Sequence, residues 1–168
     1  MTAGRRLRTF GTFMGLALVA TVAQADAPID QYGLFDSNAE AIQDLWTGLT
    51  WQRYGPTQTF GFDAALAYCE SLSLTTPTGP ATGWRVPSYK ELLTLVDEAP
   101  HAEYGNGMLV LTAIDSHAFP GTASAPYWSS SAFTSLGPAY YAYAVNFQDG
   151  VALKTPQSTP LNVRCVHD

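Results

Sequence analysis

Apolar and polar positions along this chain predict a short hairpin, then two helices, then a series of short strands. Ile42, Asp44 and Trp46 alternate with Gln43 and Leu45 up to Thr47-Gly48, a turn dipeptide. Leu49, Trp51 and Arg53 then share one face of the return strand. Trp51 is the expected anchor of that hairpin, because large aromatics dominate core energetics. Ahead of it, 32–35 reads as a short edge strand. Phe62, Ala65, Leu66, Cys69 and Leu72 recur every three or four residues, which predicts a helix over 62–72 with Cys69 on its inner stripe. Residues 75–83 carry two prolines and two glycines and read as a linker. The extended run Trp84-Arg85-Val86 should stop at Pro87, which has no N–H to donate. Ser88 and Glu91 then form a capping box, and Leu92, Leu95 and Val96 give the second helix its inward stripe. Residues 98–112 read as a loop with a short strand at 108–111, and 113–126 as irregular. Strands follow at 127–131 and 140–147, the latter alternating Tyr141, Tyr143, Val145 and Phe147 with smaller residues and ending at the turn dipeptide Asp149-Gly150. A return at 151–153 and a final strand at 162–166 complete an α+β order.

The first twenty-five residues stand apart from this pattern. Arg5, Arg6 and Arg8 precede an apolar run over 10–22, and Ala23-Gln24-Ala25 has the small-residue form of an export cleavage site. Residues 1–25 are therefore expected to be a signal peptide. No membrane span is expected in the mature chain, which would begin at Asp26 outside the cytoplasm, in the periplasm or beyond. Residues 26–40 would lead into a domain over 41–168. Removing three arginines from the eight Lys/Arg leaves five against fourteen Asp/Glu, a net charge of −9. Such a chain repels nucleic acid and anionic membrane unless its cations cluster, and they are scattered. Only 13% of residues are charged and 12% are aromatic, which suits a packed β-rich domain and not a disordered segment. The two cysteines, Cys69 and Cys165, are expected to form one bridge in an oxidising compartment, the alternatives being buried free thiols or a reactive thiol with a resolving partner.

Several stretches, taken in order, resemble one bacterial family: Asp44-x-x-Thr47-Gly48-Leu49-Thr50-Trp51-Gln52-Arg53, Ala67-Tyr68-Cys69, Gly83-Trp84-Arg85-Val86-Pro87 through Glu91-Leu92, Phe119-Pro120, Tyr127-Trp128-Ser129-Ser130-Ser131 and Val163-Arg164-Cys165-Val166. The family is typified by the C-terminal domain of the Legionella collagen-like adhesin (the Lcl C-terminal domain), and the resemblance runs from about Ile42 to the end. It implies a C-type-lectin-like architecture, with two helices on short antiparallel strands and the two ends of the domain close together. It also implies a disulfide from the first helix to the last strand. The named adhesin binds sulfated polysaccharides and trimerises behind a collagen-like stalk. This chain has no Gly-x-y repeat, so trimerisation does not carry over, and its acidity argues against a strong polyanion site. The matching motifs read as scaffold: Trp51, Arg53, Trp84, Arg85, Pro87, Glu91, Trp128 and Arg164.

Candidate chemistry is sparse. The Glu-Pro-Asn, Gln-Pro-Asp and Trp-Asn-Asp strings of calcium-dependent lectins are missing, and Asn146-Phe147-Gln148-Asp149 is a remote echo. His101-x-Glu103 and Asp115-x-His117 lack the tight pairing usual for zinc and read as solvated loop residues. Ser129, Ser130 and Ser131 have no nucleophile elbow around them and read as strand-end serines. A related fold hosts a copper oxidase that makes formylglycine with paired cysteines, an analogy that a structural bridge would close. Arg85 is expected to be a strut paired with Glu91 or Asp97. No cofactor and no catalysis are expected. The reading is an exported recognition domain for a glycan or another envelope component, contacting it through Tyr127, Tyr140, Tyr141, Tyr143 and the 98–124 loop. The rival reading is a structural or assembly module of the envelope that binds protein.

Overall fold

The computed structural model describes residues 27–28, 30–33, 39–76, 78–98, 100–105, 107–133 and 140–168. The expected signal peptide, Leu34 and Phe35 lie outside them. Strands β1 (Ala41–Gln43) and β2 (Thr50–Gln52) form the first hairpin. Its turn is held by the buried Asp44 side chain, whose Oδ1 accepts from the amides of Trp46 and Thr47. Tyr32 contributes a single antiparallel bridge to Asp44 where an edge strand was expected. Helix α1 (Phe62–Glu70) buries Phe62, Ala65 and Cys69 on one stripe.

The linker expected over 75–83 is instead a small hairpin, β3 (Leu74–Thr76) with β4 (Gly79–Ala81). Pro80 fits because a two-stranded ribbon has a free edge that needs no N–H. After it, Trp84 and Val86 point into the core, while Arg85 pairs its backbone with Val166 in both directions at 2.9 Å. Helix α2 (Tyr89–Leu93) opens on the full capping box, with Ser88 Oγ accepting from the Glu91 amide and Glu91 Oε2 accepting from the Ser88 amide. The helix is short. Leu95 and Val96 follow in turns, yet Leu95 is buried beside Leu92.

The loop expected over 98–112 is a third hairpin, β5 (His101–Gly105) with β6 (Met108–Thr112), the latter at the short strand expected over 108–111. Residues 113–125 are irregular. The principal sheet follows in the order β7 (Pro126–Phe133), β8 (Tyr141–Asn146), β9 (Ala152–Pro156), all antiparallel. Between Trp128 and Ala132 the register of β7 slips against β8. The three serines fill that bulge. Ser129 Oγ donates to the Tyr143 carbonyl, the Ser130 amide donates to the Pro87 carbonyl, and Ser131 Oγ accepts from the Tyr89 amide. They fasten β7 to the start of α2, and the hydroxyls of Ser129 and Ser131 are both committed to backbone.

The expected strand over 162–166 is mostly single bridges: Leu161 to Phe60 and Asn162 to Tyr127. Only β10 (Val166–His167) is a strand, and it lies on β2 to give a β1-β2-β10 sheet. The two ends of the domain thus flank one strand. The Cys69–Cys165 disulfide joins α1 to the residue before β10, with 5.5 Å between Cα atoms.

Two clusters make up the interior. One gathers Phe62, Ala65 and Cys69 of α1 with Trp84, Trp128, Ala142, Ala144 and Cys165. The alanines of β8 are small because the Trp128 ring, edge-on to Phe62, needs that space. The other gathers Ile42, Trp51, Leu92, Phe119, Tyr127, Val145 and Phe147.

Candidate functional site

The scaffold residues hold the molecule together from inside. Trp51, Trp84 and Trp128 are each at most 1% exposed, and Pro87 is buried. Trp84 Nε1 donates to the Ala81 carbonyl and Trp128 Nε1 to the Phe60 carbonyl. Arg53 and Arg164 are buried and give their guanidinium hydrogens mainly to main-chain carbonyls: Arg53 to Ala118 and His117, Arg164 to Gln52 and Arg53, with a further bond to Thr122 Oγ1.

Arg85 is half-buried and forms a fork on Glu91, with Nη1 and Nη2 at 2.9 and 2.8 Å from its two oxygens. Its second carboxylate is Asp168, not Asp97. The Arg85 guanidinium, with help from the Ser88 amide and hydroxyl, holds the Glu91 carboxyl below its ordinary value of 4.5 against the upward pull of burial. A depressed folded-state value means that the pair stabilises the fold above pH about 4.5 and loses that contribution as pH falls through the folded value. Glu91→Gln should therefore melt lower than the native chain at neutral pH and converge with it in acid. Parallel melting curves from neutral pH to pH about 3 check this; a constant gap would contradict it.

Of the four tyrosines expected at a contact surface, Tyr127 is in the core. It faces Val145 across the ladder, its ring lies 5.0 Å from Phe147, and its hydroxyl accepts from the Ala123 amide. The reason is alternation: Tyr127, Val145 and Phe147 share the sheet face that α2 and the 113–119 segment cover. Farther along the same face the cover ends, and Tyr141 and Tyr143 are half-exposed, with Tyr140 77% exposed just before β8. Phe133 stands opposite Tyr141 in the ladder and packs edge-on to Tyr143, while Tyr89 of α2 lies 5.2 Å from Tyr143. Lys154 of β9 places Nζ 3.6 Å from the centre of the Phe133 ring and 4.5 Å from that of Tyr141. The result is a rigid aromatic strip with one ammonium across it. Phe133 and Lys154 join the strip through cross-strand pairing and Tyr89 through the packing of α2 on β8, neither of which a linear pattern reveals.

The structure also shows why a polyanion would find little hold. Of the five cations after residue 25, Arg53 and Arg164 are buried and Arg85 is paired, leaving Lys90 and Lys154 exposed. A second opening is a cleft of about 460 Å³ between residues 27–28 and 31–32, the β1–β2 turn and residues 94–98. Trp46 lines it and is 64% exposed, the exception among four tryptophans. It sits at the hairpin apex, where a side chain has no neighbour to cover it. Tyr32, on the cleft wall, has its phenol pushed above its ordinary value by burial first and then by the carboxylates of Asp44, Asp115 and Asp97.

Asp115 Oδ1 accepts from the amides of His117 and Ala118, a local turn. Among the described residues no group of three or more His, Cys, Asp or Glu is placed to hold a metal ion. Nor is any helix among them long and apolar enough to cross a membrane. Comparison with known families matches the chain to one described as the Lcl C-terminal domain, over residues 40–167. No curated protein matches it.

Proposed function

The chain belongs to the Lcl C-terminal domain family, and from that membership we propose an exported, non-catalytic recognition domain of C-type-lectin-like shape that binds glycan where the α2-side face of its principal sheet emerges from cover. The observation that carries this reading is the strip of Tyr140, Tyr141, Tyr143, Phe133 and Lys154. Aromatic faces stack on the apolar sides of sugar rings, and a strip fixed by strand pairing has little ordering entropy to lose on binding. One lysine amid the rings adds a contact for a single sulfate or carboxylate without making a polyanion surface. The disulfide and the lack of a membrane-crossing helix among the described residues are compatible with export.

The rival reading, an assembly module that binds protein, is favoured by Met108, Leu109 and Leu111 of β6, all exposed on a two-stranded ribbon. A glycan array probed with the mature domain separates the two. The glycan reading expects a defined set of sugars to bind, with Tyr140→Ala and Tyr141→Ala each weakening binding about fivefold, the order of one lost aromatic contact. Lys154→Met should weaken acidic glycans and leave neutral ones unchanged. An empty array, or one indifferent to all three substitutions, removes the sheet face as a glycan site.

A further inference from the structure

We propose that the cleft beside Trp46 is a second binding site, for a small amino sugar whose nitrogen is unacetylated and charged, with its apolar face on the Trp46 indole and its ammonium among Asp97, Glu98 and Asp115. It shares no residue with the sheet face.

The volume of about 460 Å³ falls within the range of roughly 300–1,000 Å³ typical of small-molecule sites. The platform is preorganised. Trp46 is fixed at its backbone because its amide donates to Asp44 Oδ1 at 2.9 Å, and the buried Asp44 also takes the Thr47 amide. An indole held open to solvent while the other three are buried leaves apolar surface without a partner, and its face attracts both sugar rings and cations. Among the described residues that line the cleft there are three carboxylates and no Lys, Arg or His. Burial is the main cause of the raised Tyr32 phenol, and Asp44, Asp115 and Asp97 add to it.

Among the described residues the carboxylates form no group able to hold a metal ion, so a compact divalent cation is a poor fit. An ammonium on a ring-sized body needs only one or two carboxylates and an aromatic face. On the cleft wall, Gln31 Nε2 donates to Tyr32 Oη and Asp44 Oδ2 at 3.4 Å and to the Thr94 carbonyl at 3.5 Å, which ties the 94–98 side to the β1–β2 turn.

Calorimetric titration of the mature chain with glucosamine, N-acetylglucosamine and trilysine tests the proposal. Glucosamine should bind at least tenfold more tightly than its neutral acetylated twin, and added salt should narrow the difference. Trp46→Ala should abolish glucosamine binding with unchanged melting, because the side chain stands on an exposed turn. Glu98→Gln should weaken it about threefold to fivefold, and Trp46→Phe should keep most of it. Equal binding of the two sugars, no binding of either, or heat that survives Trp46→Ala would each overturn the site. Trilysine binding as tightly as glucosamine, and lost with it in Trp46→Ala, would overturn the assignment to a sugar.

Discussion

Arg164→Ala should lower the unfolding free energy by about 3–5 kcal/mol, the order of a large buried truncation together with carbonyls left without a donor. The side chain is completely buried, and burial lowers its guanidinium from the ordinary value while the neighbouring hydroxyls of Tyr127 and Tyr32 oppose that pull. Among the described residues no carboxylate pairs with it. Its charge is met by the carbonyls of Gln52 and Arg53, by Thr122 Oγ1, and by the Phe119 ring, whose centre lies 4.7 Å from the guanidinium carbon. Truncation strands two buried carbonyls and opens a void beneath Phe119. Since small domains are stable by only about 5–15 kcal/mol, this is a large part of the whole. Arg164→Met separates the two losses, because it refills the volume but leaves the carbonyls dry. It should fall between native and Ala. Urea unfolding at neutral pH reads all three; an Ala variant within about 1 kcal/mol of native would show that the carbonyls find other donors.

Replacing both Cys69 and Cys165 by alanine should cost about 2–5 kcal/mol. The bridge spans 96 residues of sequence, and loop-closure entropy for about 100 residues is close to 4.7 kcal/mol. The packing loss adds a little, since both sulfurs are within the α1 cluster. Kinetics give a second readout. Neither cysteine is exposed, so reductant should leave the native protein oxidised for long periods and act quickly once urea opens the fold. Rapid reduction under native conditions would mean that α1 and the chain end separate far more often than the packing implies.

How much of this was legible in the sequence follows from how local each feature is. The α2 capping box needs four consecutive residues, Ser88 to Glu91, and can be read directly. The α1 stripe needs one turn of periodicity, and the bridge needs only compartment and an even count. The β3–β4 ribbon and strand β5 were hidden, although β6 was expected as the short strand over 108–111, because Gly79, Pro80 and Gly107 resemble linker chemistry. Glycine at positive φ serves a tight turn as well as a loop, and Gly79 and Gly107 both adopt it. Tyr127 read as a surface residue because one strand's alternation shows which residues share a face and not which face is covered. That depends on α2 and on 113–119, far away in sequence. Trp46 was placed in alternation with Ile42 and Asp44, but the turn cuts that alternation short. Its cleft draws on four separate segments, so no linear window contains it.

The β1-β2-β10 sheet has a mechanical consequence. Both outer strands run antiparallel to β2 and so parallel to each other, with Ala41 opposite Gln52 and His167 opposite Thr50. Tension applied between the two termini of the domain pulls them in opposite directions along β2, loading the ladder in shear so that its bonds resist together. The covalent link at 69–165 removes everything between those residues from the line of force. Tethered at its ends, the domain would keep the sheet face unstretched while the tether is taut, whereas Trp46 and the cleft residues Gln31 and Tyr32 lie on the loaded side of the link.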